Sequence, residues 1–143
     1  MTKKSLNIVV VEDDEQDYEL FYRALKKCNF DFEITWFKDG EELINYLEKM
    51  KTFDPKNSQQ IIYFIDINLP KVQGFELVKI IKGHPLFKES CVVMLSGSKM
   101  KKDIDISKEN GSNYYLVKPF GKQETIAFVD KINSIFTELI DAR

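Results

Sequence analysis

The chain has 143 residues, 43% of them hydrophobic and 31% charged, with a formal net charge of −2. A chain of this size can bury a core without disulfide or metal staples, and its charge gives no electrostatic case for nucleic acid. No apolar stretch approaches the roughly 20 residues of a membrane helix, and the run after Lys3-Lys4 is too short for a signal peptide, with acids directly behind it.

The first strand is expected over Leu6–Val11, an apolar run closed by Glu12 and Asp13. Asp14 is a natural N-cap for a helix over Asp14–Cys28, with Tyr18, Phe21, Tyr22, Leu25 and Cys28 at helical spacing. Phe32–Phe37 reads as the second strand, its Trp36 expected to lie away from the acids. Asp39-Gly40 opens a second helix, with Leu43, Ile44, Leu47 and Met50 on one face. The polar stretch Lys49–Gln60 is longer than the roughly 2–6 residues usual between helix and strand. The third strand, Gln60–Asp66, ends in a carboxylate followed by Ile67-Asn68-Leu69-Pro70.

A third helix over Gly74–Lys82 stops at Gly83, a usual C-terminal signal. His84, in Gly83-His84-Pro85, is expected as an exposed turn residue, and the chain lacks the His and Cys spacing of a zinc site. Cys91–Ser96 reads as the fourth strand. The helix over Met100–Asn110 offers little apolar surface beyond Met100, Ile104 and Ile106, which marks it as a mobile element. Ser112–Lys118 forms the fifth strand, and the last helix, Lys122–Ile140, aligns Val129, Ile132, Phe136 and Leu139. All four prolines fall between elements, where a missing N–H does least harm.

Strands alternating with helices at this length predict an α/β fold, a doubly wound five-stranded parallel sheet with helices on both faces. Cys28 and Cys91 are too few for a disulfide framework and read as reduced core residues of a cytoplasmic protein. Residues 1–143 are read as one domain with its core at about 6–140 and no output domain, so any output passes through a separate molecule.

Open α/β sheets place their chemistry outside the carboxyl ends of the strands. There the chain brings Glu12 and Asp13, Asp66, Ser96 and Lys118. Three carboxylates brought together repel one another unless a cation compensates, and an all-oxygen set suits Mg²⁺, which keeps part of its water shell. Such an ion beside one carboxylate and one lysine is what phosphoryl transfer needs, with Asp66 as nucleophile and the Ser96 hydroxyl donating to a phosphoryl oxygen. Each residue alone has an ordinary reading: helix-capping acids, a turn acid, a surface lysine before proline, a Ser-Gly turn. Their joint occurrence at four strand ends is what points to a site.

Those residues resemble the receiver domain of two-component response regulators over essentially the whole chain. The matching stretches are Ile8-Val9-Val10-Val11-Glu12-Asp13, Asp66-Ile67-Asn68-Leu69-Pro70 with Gly74, Val92-Val93-Met94-Leu95-Ser96-Gly97 and Tyr115-Leu116-Val117-Lys118-Pro119-Phe120. The resemblance implies a flavodoxin-like sheet of order 2-1-3-4-5. It implies Asp66 as phosphoacceptor, with Mg²⁺ held by Glu12, Asp13, Asp66 and the backbone carbonyl of Asn68. Ser96 and Tyr115 would form the switch pair, Lys118 would meet the phosphoryl oxygens, and the Lys118-Pro119 bond would be cis.

The donor would be a sensor histidine kinase or phosphotransfer protein. Output would go to a downstream protein or a second copy of the chain through helix 4, strand 5 and helix 5. The chain would not act as an enzyme on other molecules; it would catalyse only its own phosphorylation and dephosphorylation. Length and the long loop resemble the small receivers that partner bacteriophytochromes. Departures from the pattern are Gln73 for a frequent acid, Gly97 for a commoner alanine, which is expected to open access, and uncharged Asn68 and Ser98, positions that tune hydrolysis in that family. A haloacid-dehalogenase-like phosphatase would need an acid where Asn68 stands, and flavin binding would need a phosphate loop after the first strand. A phosphate-independent interaction module on the same fold is the alternative.

Overall fold

Five parallel strands make one sheet in the order β2-β1-β3-β4-β5. The computed structural model describes residues 5–50, 61–97 and 100–141. Along the chain the elements are β1 (Ser5–Val11), α1 (Glu15–Lys26), β2 (Asp31–Phe37), α2 (Gly40–Met50) and β3 (Ile61–Asp66). There follow α3 (Gly74–Gly83), β4 (Cys91–Ser96), α4 (Lys101–Glu109), β5 (Tyr114–Val117) and α5 (Lys122–Asp141). The expected doubly wound sheet and its order are therefore present, with boundaries shifted by a residue or two. The loop read over Lys49–Gln60 falls almost wholly on residues 51–60, outside the described residues, as does Ser98.

Every residue of β3 and β4 is buried, because strands covered on both faces have no polar side. Alternation sorts the strand side chains into two layers. Ile8, Val10, Ile62, Phe64 and Leu116 pack with Phe21 and Leu25 of α1 and with Phe128, Ile132 and Phe136 of α5. Val9, Val11, Tyr63, Ile65 and Met94 pack with Leu43 and Leu47 of α2 and with Leu77, Val78 and Ile81 of α3. Asp14 caps α1, its side chain accepting from the Asp17 N–H at 2.9 Å. Asp39 does the same for α2, accepting from the Glu42 N–H at 2.9 Å.

Cys28 and Cys91 are free thiols, half-buried and buried, and burial pushes both up to about 11, which keeps them protonated and inert. His84 is half-buried rather than fully exposed; its Nδ1 accepts from the Leu86 N–H at 3.1 Å and so finishes the turn after α3. Helix α4 buries only Ser107. Among the described residues no helix is long and apolar enough to cross a membrane.

Candidate functional site

Strand register brings the site together. Val11 pairs with Ile65, so the next residues along each strand, Glu12 and Asp66, emerge side by side. Asp66 pairs with Leu95 and Ser96 with Val117, which sets Ser96 and Lys118 at the same edge. The Lys118 N–H donates to the Ser96 carbonyl at 2.8 Å and extends that ladder one step past the strand. Glu12, Asp66 and Lys118 share the alternation of Ile8 and Val10, Ile62 and Phe64, and Leu116. Their side chains accordingly belong to the α1–α5 layer.

The Lys118 ammonium stands at the centre of that layer's acidic edge. Its Nζ lies 2.8 Å from Glu12 Oε1, 2.8 Å from Asp66 Oδ2 and 2.9 Å from Asp17 Oδ2. Burial alone would lower the Lys118 pKa, but the hydrogen bonds to Asp66, Glu12 and Asp17 more than offset it and hold the amine above its ordinary value. Burial, and then the neighbouring Asp66 carboxylate, push the Glu12 carboxyl up to about 8. One ammonium does not neutralise this many acids, and the surplus negative charge favours a bound cation.

Glu12, Asp13 and Asp66 each offer a carboxylate oxygen, all within 4.8 Å of one another. An all-oxygen donor set with surplus negative charge fits a hard divalent cation. A concavity of about 440 Å³, its lining including Asp13, Asn68, Pro70 and Gln73, opens this acidic edge to solvent.

Residues 8–130 match the model of the response regulator receiver domain. The chain belongs to that family. The receiver is 30% identical over 133 residues to response regulator Rcp1 of Synechocystis sp., covering 93% of this chain and 90% of that protein. The solved Mn²⁺-bound form of Rcp1 superposes with a TM-score of 0.74 over 92% of this chain and 94% of that one, at 30% identity. The phosphorylated cyanobacterial phytochrome response regulator RcpA gives 0.74 over 90% and 91%, also at 30% identity. A receiver domain from Rhodospirillum rubrum reaches 0.78 at 25% identity, over 92% and 94%. Phosphorylation-type two-component signalling and a divalent metal are typical of this family, and the acidic cluster of this receiver fits such an ion.

Around Asp66 the receiver's backbone is tightly constrained. The Asn68 N–H donates to Asp66 Oδ1 at 3.0 Å, leaving the second carboxylate oxygen to Lys118. A Cβ on Gly74 would lie 2.3 Å from the Asp66 carbonyl oxygen, so only glycine lets α3 start directly behind the strand end. Lys71 takes a left-handed φ of 63° in the intervening loop, a conformation uncommon for a residue with a side chain.

Ser96 is buried, and Tyr115 is half-buried against the α2–α3 layer. Both have the opposite alternation to Lys118 and belong to the α2–α3 face of the sheet edge. The bond expected as cis is trans, since none of the described peptide bonds is cis; the chain turns instead through the Phe120 N–H donating to the Lys118 carbonyl at 2.9 Å. Gly97 lines a concavity of about 290 Å³ together with Lys118 and Phe120. A Cβ there would sit 3.2 Å from Phe120 Cε2 and, beyond its chain neighbours, touch nothing else within 4 Å among the described residues.

Two contributors escape a reading of strand ends. Asp17 reaches Lys118 from the first turn of α1. Trp36, expected to lie far off, donates its indole N–H to the Glu12 carbonyl at 2.8 Å. An edge strand one position removed in the sheet order accounts for this, because β2 pairs with β1 and Val10 stands opposite Trp36.

Proposed function

We propose that this receiver accepts a phosphoryl group from phosphohistidine onto Asp66 in a Mg²⁺-dependent reaction and signals by phosphorylation-dependent protein binding. The observation that carries this reading is the Asp66 carboxylate held between the Asn68 N–H at 3.0 Å and the Lys118 ammonium at 2.8 Å, beside two more acids. An Asp66 oxygen attacks phosphorus while the phosphorus–nitrogen bond of the donor breaks. The electron pair of that bond stays on the histidine nitrogen, which takes a proton.

Glu12, Asp13 and Asp66, with the Asn68 carbonyl, would hold Mg²⁺, which when bound neutralises charge on the phosphoryl oxygens. Lys118 supplies a fixed positive charge at the same oxygens, so the protein's part is positioning and electrostatics. Ser96 donates its hydroxyl to the phosphoryl group, and Tyr115 follows it inward. The same groups serve hydrolysis of the acyl phosphate, and the chain catalyses nothing beyond its own phosphorylation and dephosphorylation.

Phosphorylation adds about one to two negative charges, and the Ser96 and Lys118 responses bear on β5 and α4. Helix α4 has a single buried residue, so its position is cheaply biased. The output face is the groove of about 450 Å³ between α4, β5 and α5, lined among others by Ile104, Leu116, Glu124, Phe128 and Lys131. A downstream protein or a second copy of the chain would dock there. The setting is the cytoplasm, where phosphohistidine donors and reduced thiols coexist.

Incubation with acetyl phosphate and Mg²⁺, followed by intact mass and size-exclusion chromatography, tests the reading. One phosphoryl addition in the unsubstituted protein and none in Asp66→Ala is expected. Addition that persists in Asp66→Ala, or none in either, overturns it.

A further inference from the structure

We propose that Asp17 is a positioning residue that holds the Lys118 ammonium in the resting site and surrenders it to the incoming phosphoryl group. The inference deepens, and rests on, the reading of Asp66 as phosphoacceptor. An ammonium has three N–H donors, and Lys118 directs all three at carboxylates: Glu12, Asp66 and Asp17, at 2.8, 2.8 and 2.9 Å. No donor is left for a fourth oxygen. A phosphoryl oxygen can therefore be met by Lys118 only when one of these partners lets go.

Exposure decides which one. The Glu12 and Asp66 side chains are 3% and 4% exposed, whereas that of Asp17 is 25% exposed. A carboxylate that loses its cation inside the protein keeps the cost of desolvation, while one at the rim recovers water. Before Mg²⁺ binds and Asp66 reacts, Asp17 is thus the partner that can leave at least cost. Helix α1 need not move for this, because the Asp17 N–H is fixed by the Asp14 cap and only the side chain rotates. Asp17 also adds a negative charge at the partly exposed rim of the site. Both effects oppose phosphorylation, so in the resting state this side chain acts as a brake.

Time courses of phosphorylation by acetyl phosphate at saturating Mg²⁺, read by intact mass, test the proposal on Asp17→Asn and Asp17→Glu. In the step observed, an Asp66 oxygen–phosphorus bond forms, the acetyl oxygen–phosphorus bond breaks and acetate leaves. Asp17→Asn keeps the shape and removes the charge, and its rate constant is expected to rise about three- to tenfold, the size of one charge-assisted hydrogen bond at a partly exposed site. Asp17→Glu, which restores a carboxylate, returns the rate toward that of the unsubstituted protein. Thermal unfolding measured alongside separates a mere structural role, which would lower the midpoint without raising the rate. A rate for Asp17→Asn that is unchanged or lower, in a protein that labels normally before substitution, overturns the role of Asp17 alone. No label on the unsubstituted protein overturns the Asp66 reading and this inference with it.

Discussion

Trp36 and Glu12 are joined by a hydrogen bond from the indole Nε1 to the backbone carbonyl, 2.8 Å long. The indole also lies flat on Tyr18 of α1, the ring centroids 3.9 Å apart and the planes 3° from parallel. The edge strand and the first helix thus brace the backbone of the first site acid from behind.

Because that brace acts on Glu12 itself, Trp36 emission is expected to change when Mg²⁺ fills the acidic cluster. Asp13→Asn should move the transition to higher Mg²⁺ concentration, and Trp36→Phe should abolish the signal. Trp36→Phe keeps an aromatic ring against Tyr18 but leaves the Glu12 carbonyl without its donor, at a cost of about 1 kcal/mol. A fluorescence titration checks both; emission that stays flat while Mg²⁺-dependent phosphorylation proceeds would separate the indole from the site.

The raised Glu12 carboxyl sets a pH dependence. Its folded pKa, about 8, lies above the ordinary value of 4.5, so the folded metal-free protein binds a proton the unfolded chain has released. Stability from that proton is fully present below about pH 4.5 and is lost as pH rises through about 8. The metal-free melting temperature is accordingly expected to fall across that window, and Glu12→Gln should flatten the decline. Bound Mg²⁺ replaces the proton, so its affinity should climb with pH and level off above about 8. Calorimetry in two buffers of different ionisation enthalpy would count the proton released.

Three of the strand ends were legible because their apolar runs stop abruptly at a charge (Glu12, Asp66 and Lys118), and parallel register then forces those charges to one edge. Asp17 was not legible. In sequence it is an ordinary first-turn acid of a helix, favourable there through the dipole alone. Only the layer to which Lys118 turns, and the height at which α1 crosses it, bring the two together. Trp36 was missed for a related reason, since a strand's neighbours follow from sheet order rather than from spacing. The last helix shows a third limit: Val129, Ile132, Phe136 and Leu139 make a single file, whereas the packed helix also buries Phe128 and Ile135, because a helix lying on a sheet covers a broad stripe.

Two glycines of the same helix are expected to respond oppositely to alanine. At Gly74 the added Cβ would be 2.3 Å from the Asp66 carbonyl oxygen and 3.0 Å from Ile67 Cα, and backbone cannot yield as a side chain can. Gly74→Ala should cost about 2 kcal/mol or more and impair phosphorylation by displacing Asp66. At Gly83 nothing lies within 4 Å of the added atom, and Gly83→Ala should add up to about 0.5–1 kcal/mol through helix propensity and a less flexible unfolded chain. Denaturant melts of the two variants decide the matter; equal effects would mean that α3 can shift away from β3.

Tyr63 carries a cost that the fold tolerates. Its side chain is fully buried in the α2–α3 layer, yet its hydroxyl has no hydrogen-bond partner among the described residues. Burial, with Tyr46 adding to it, drives the phenol well above its ordinary pKa, so the group stays neutral at any physiological pH. An unpaired buried hydroxyl costs about 1–3 kcal/mol relative to its solvated state, whereas phenylalanine fills nearly the same volume without a polar atom. Tyr63→Phe is therefore expected to raise stability by about 1 kcal/mol and to leave the phosphorylation rate unchanged, since Tyr63 lies in mid-strand, short of the acidic edge. A drop in stability instead would show that the hydroxyl has a partner, and buried water would be the first to look for in a crystal structure.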